Sequence, residues 1–86
     1  PYTAAVESEA ADDGSGDAVA YLVFLRWAQT GTAIMGHLET GDLARAATET
    51  EARAALEALP LARVKQILDE TIRRKREEAL ADPAGP

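Results

Sequence analysis

The chain has 86 residues, no cysteine, one histidine and a formal net charge of −6, from 15 acidic and 9 basic side chains. That length bounds it to one small domain, and the lack of thiols excludes a disulfide scaffold, a Cys-based zinc finger, an iron–sulfur centre and a thiol nucleophile. The acidic balance argues against nonspecific nucleic-acid binding.

Hydrophobic residues are 47% of the chain, but 19 of them are alanine. Alanine is the strongest helix former and fills little volume. The composition therefore predicts an all-α fold with a thin core: a bundle of three helices, or four short ones where one breaks, with a long first helix. Chains of this size often complete such a core by association, and self-association is the expectation here.

Residues 1–17 hold five carboxylates (Glu7, Glu9, Asp12, Asp13, Asp17) and no cation. With Gly14, Ser15 and Gly16 they read as a flexible acidic leader. The start at Pro1 reads as processing, or as excision from a longer polypeptide. The leader has no basic n-region of a signal peptide. The longest apolar run, residues 18–25, is far shorter than the roughly 20 residues of a membrane span. The expected location is cytoplasmic.

Residues 18–81 are expected to form the helical bundle. The first helix is predicted from an N-cap at Asp17 to about residue 40, with Gly41 just past its end and a possible break at Gly31. On a helical wheel Val23, Phe24, Trp27, Ala28, Gly31, Ile34, Met35 and Leu38 share a face. Its first two turns are apolar all round, which implies burial on every side and hence a partner. Ala28, Thr32 and Gly36 form a row of small residues suited to close backbone approach. A second, alanine-filled helix is expected over about 42–58; Thr48 and Glu51 match a capping box at which it would restart. Pro60 ends it and opens a third helix to about 81. That helix has a stripe of Leu61, Val64, Leu68, Thr71, Ile72 and Ala79, with Ile67 at the edge. Residues 82–86 read as a disordered tail.

The residues that carry chemistry are sparse. His37 lacks an orienting partner at helical spacing and reads as solvent-facing. Met35 cannot share an iron with it at i, i+2 and reads as core. Asp12, Asp13 and Asp17 lack the distant glutamate of a calcium loop. Gly14-Ser15-Gly16 follows no predicted strand and has no lysine for a phosphate loop. The basic run Arg73, Arg74, Lys75, Arg76 is expected to be neutralised by i, i+4 pairs with Asp69, Glu70, Glu77 and Glu78. Trp27 reads as core. No catalytic residue, cofactor site or metal site is expected.

The leading expectation is a non-enzymatic, docking-type module for protein–protein interaction or dimerisation. Its contact residues would be Val19, Leu22, Val23, Leu25, Trp27, Ala28, Thr32 and Gly36. Its partner would be a second copy, in a homodimer or other homo-oligomer, or a helical segment of another protein. An alternative rests on the run Leu59-Pro60-Leu61-Ala62-Arg63-Val64-Lys65-Gln66-Ile67-Leu68-Asp69, which resembles the start of a helix in MerR-type regulators. That resemblance implies a fragment or subunit of a transcriptional regulator, although the winged helix-turn-helix that reads DNA is missing. An accessory subunit of a multi-protein enzyme complex is a third reading.

Overall fold

The computed structural model describes residues 2–31 and 33–81. It overturns the all-α bundle: the chain is a mixed α/β fold, a four-stranded antiparallel sheet followed by two helices. The strands are β1 (Tyr2–Ala10), β2 (Ala18–Trp27), β3 (Ile34–Glu39) and β4 (Ala44–Ala46), and the helices are α1 (Glu49–Glu57) and α2 (Leu61–Ala81).

The stretch read as a flexible leader contains β1, which pairs with β2 from Tyr2 opposite Arg26 to Ala10 opposite Ala18. Residues 11–17 close this hairpin. Gly14 and Gly16 take left-handed φ values of 75° and 83°, a region open to glycine at no steric cost. The Ala11 amide donates to the Asp17 carbonyl at 2.9 Å. Arg45 on β4 ties the turn down, with Nη2 donating to Asp13 Oδ2 at 2.7 Å and Nε to Asp17 Oδ2 at 2.9 Å. The Ser15 hydroxyl and then the Arg45 guanidinium hold the Asp13 carboxyl well below the usual carboxylate range.

The expected first helix is instead β2, a turn and β3. β2 is rich in β-branched and aromatic residues (Val19, Tyr21, Val23, Phe24, Trp27), which suit a pleated surface. Its apolar surround arises because it is the central strand. It pairs with β1 on one side and, on the other, with β3 and β4 in succession. Gly31, at φ 74°, sits in the β2–β3 turn, where its amide donates to the Ala28 carbonyl at 2.8 Å. Met35 has no partner between Gly36, opposite Arg26, and Ile34, opposite Trp27. It is the extra residue of a β-bulge, and at 59% exposure it is not the core residue expected.

Between β3 and β4 the chain leaves the β2 ladder. The Thr40 amide donates to the Leu22 carbonyl, and the Thr40 hydroxyl accepts from the Leu22 amide, both at 2.9 Å. The Leu43 amide then returns to the Ala20 carbonyl.

The residues expected to begin the second helix form β4, and the helix starts at the capping box. Thr48 is the N-cap of α1 and accepts from the Glu51 amide at 3.2 Å. The helix expected from about residue 60 is α2. Both helices cover one face of the sheet. Ala18, Ala20, Leu22 and Phe24 of β2 meet Ala52 and Leu56 of α1 and Ile67 of α2, with Val6, Leu38, Val64 and Leu68 around them. Leu22 and Phe24 are fully buried, and each contributes about 1.5–3 kcal/mol by leaving water. Thr71 is buried too, and its hydroxyl donates to the Ile67 carbonyl at 2.7 Å. From Arg73 to Leu80 every side chain of α2 is exposed. The expected tail, residues 82–86, lies outside the described residues. No helix among the described residues is long and apolar enough to cross a membrane.

Candidate interaction surface

Side chains alternate across a strand, so β2 divides its residues between two faces. The even positions from 18 to 24 enter the core under the helices. Val19, Tyr21, Val23, Leu25 and Trp27 point the other way, and none belongs to that core. An antiparallel sheet with one free face ordinarily shows polar residues to water. Here the free face of the central strand is apolar along its whole length, about 27 Å at strand rise. Val19 is nevertheless buried at 5% exposure, whereas Tyr21, Val23, Leu25 and Trp27 are half-buried.

The register fixes what flanks this stripe. On β1, Glu9, Glu7, Ala5 and Thr3 stand opposite Val19, Tyr21, Val23 and Leu25. On the other side Arg45 stands opposite Val19, Glu39 opposite Val23, His37 opposite Leu25 and Ile34 opposite Trp27. The Trp27 indole Nε1 donates to the Thr3 hydroxyl at 2.7 Å, which fixes the ring across the sheet. The rim is acidic. Burial, then the carboxylates of Glu9, Glu39, Glu7 and Asp42, push the Tyr21 phenol above its ordinary range. Arg45, opposite Val19, is already engaged by Asp13 and Asp17.

Of the residues singled out from the sequence, Val19, Val23, Leu25 and Trp27 thus lie on one face. Leu22 is in the core beneath α1 and α2, so it cannot touch a partner in the folded chain. Ala28 belongs to the β2–β3 turn, and Gly36, opposite Arg26, faces the helix side. Thr32 lies outside the described residues, and with no helix over this stretch the row of small residues does not form. Trp27 is half-buried on the free face rather than in the core. Tyr21 was missed as a contact residue; β2 is apolar at odd and even positions alike, and only its pairing places Tyr21 beside Val19 and Val23 on the free face.

His37 is exposed, as expected, but on a strand. The i, i+4 pairs expected on the last helix are absent: among the described residues, the ion pair on α2 is Arg63 with Glu70, at 3.8 Å. Among the described residues no three of His, Cys, Asp and Glu gather as metal ligands.

These elements define a small α/β domain with both helices on one side of an antiparallel sheet and an apolar, acid-rimmed face on the other. No family model, curated protein or solved structure matches the chain.

Proposed function

We propose that the chain is a non-enzymatic protein-interaction module. Its free sheet face docks a partner segment that carries an apolar stripe flanked by lysine or arginine. The observation that carries this reading is the side-chain content of β2: Tyr21, Val23, Leu25 and Trp27 stand on the face that neither α1 nor α2 covers. Contiguous apolar surface of this kind marks an interaction site, and an aromatic anchor such as Trp27 is a frequent hot spot.

The charge of the partner follows from the rim. The carboxylates of Glu9, Glu39, Glu7 and Asp42 all act on the Tyr21 phenol, so basic flanks are attracted and acidic ones repelled. A second copy laid face to face would bring the two acidic rims together. A second copy's α2 offers basic residues, but beyond Ile72 its apolar residues with described side chains are only Ala79 and Leu80. A segment from another protein therefore fits the face better. A helix of about five turns would match the length of the stripe.

Titration of an amphipathic Leu/Lys peptide into the chain, read by Trp27 fluorescence, tests this. Saturable binding with a blue shift is expected for that peptide and not for its Leu/Glu counterpart. Val23→Glu should abolish the binding. Since that substitution adds a negative charge, attraction by charge alone would grow, so unchanged or tighter binding would overturn the proposal. Light scattering across a concentration series supplies the other decisive reading. A monomer is expected, and a dimer dispersed by Val23→Glu would instead assign the face to a second copy.

A further inference from the structure

The helix side of the sheet carries a second feature, which reaches the rim of the free face at His37. Where α2 runs past β3, a groove of about 380 Å³ opens between them. Its floor is apolar: Gly36 and Leu38 from β3, Ile72 and Ala79 from α2. Arg26, Lys75 and Arg76 line it as well. Among the described residues no carboxylate does, in a chain where acids outnumber bases 15 to 9. Among the described residues these three cations enter no ion pair. The floor is open above Gly36, since a Cβ built there would meet nothing within 4 Å.

We propose that this groove binds a small anion with an apolar body, such as an aliphatic carboxylate. A cationic rim over an apolar floor matches both halves of such a molecule, and the volume lies within the range of small-molecule sites, about 300–1,000 Å³. Arginine offers paired donors to a carboxylate, and lysine a mobile point charge. A nucleic-acid backbone fits less well. The adjoining groove over Thr40 and Gly41 carries Glu39 and Glu78 beside Arg74 and Lys75. Those carboxylates interrupt any continuous track for phosphates.

The test is a titration of the full chain with sodium octanoate, followed residue by residue in amide NMR spectra, with 1-octanol and inorganic phosphate as separate probes. Saturable shifts at Gly36, Leu38, Ile72 and Ala79 are expected for octanoate and neither other probe. Arg26→Gln combined with Arg76→Gln should weaken octanoate binding about tenfold or more. Gly36→Leu fills the floor at a position with an ordinary strand backbone. It should remove the binding while leaving the thermal midpoint in place, and Gly36→Ala, which fills less, should retain part of it. Three results would overturn the proposal: an equal response to 1-octanol, shifts confined to Tyr21, Val23 and Leu25, or no saturation with octanoate. Duplex DNA binding that survives Gly36→Leu would likewise give the cations to phosphates instead.

Discussion

The Thr40 hydroxyl accepts the Leu22 amide at 2.9 Å and donates to the Gly41 carbonyl at 2.8 Å. A side chain here takes the place of a ladder partner at the point where the third strand divides into β3 and β4. Central β2 therefore keeps its hydrogen bonds across a gap in its neighbour. Thr40→Val preserves shape but removes the acceptor, leaving a partly buried amide unsatisfied. A loss of about 1–3 kcal/mol is expected, measured by urea unfolding, and Thr40→Ser should recover most of it.

The two faces of β2 predict opposite outcomes for neighbouring residues. Leu22 lies under the helices, so Leu22→Asp buries a carboxylate without a partner and should unfold the chain. Phe24→Ala should cost about 3–5 kcal/mol, the usual range for emptying a buried aromatic site. Val23→Glu lies on the free face and should change stability far less while removing peptide binding. Circular dichroism melts of the three variants beside the peptide titration separate these effects.

Gly31 and Gly36 make a second contrast. At φ 74° Gly31 occupies a conformation that alanine tolerates poorly, and Gly31→Ala should destabilise by about 1 kcal/mol or more. Gly36 is a strand residue with open space where its Cβ would lie. Gly36→Ala should be neutral or slightly stabilising, since glycine weakens a strand interior. A lower melting temperature for Gly36→Ala than for Gly31→Ala would contradict this assignment of the turn.

The turn held by Arg45 predicts a pH dependence. Asp13 is held below its ordinary value by Ser15 and Arg45, so its folded pKa lies below its unfolded one. Its contribution is fully present above the unfolded value, about 4, and is lost as pH falls toward the folded one. Arg45 and Asp13 are both solvent-exposed, so the effect should be small and reduced by salt. Arg45→Ala should flatten the stability profile below about pH 4 relative to the parent, as judged by melting temperature at low ionic strength. Identical profiles for the two proteins would remove the role given to this cluster.

Several features are written locally in the sequence. Thr48 and Glu51 mark the start of α1, Pro60 separates the helices, and the periodicity through Val64, Leu68 and Thr71 marks α2. Glycines at 14, 16 and 31 sit where the chain reverses. The burial of residues 18–25 is legible too, because their apolar character has no polar face. Helix and strand were not separable there: a short run that is apolar all round has no period to read, and abundant alanine weights the reading toward helix. The signals for strand were the β-branched and aromatic residues of β2 and the glycine-rich turn between two runs of similar length.

Only the tertiary structure decided the rest. Helical hydrogen bonds close within four residues, so caps and periodicity can announce them. The bonds of β2 reach across the chain, to β1 and to Thr40, Leu43 and β4, and most of these partners lie too far apart in sequence to share a local window. The same pairing assigns Leu22 to the core and Val23 to the free face, and it brings Glu7, Glu9 and Glu39 around Tyr21. The stripe along β2 was therefore in the sequence as hydrophobicity, and became a surface only through the sheet's register and the placement of both helices on one side.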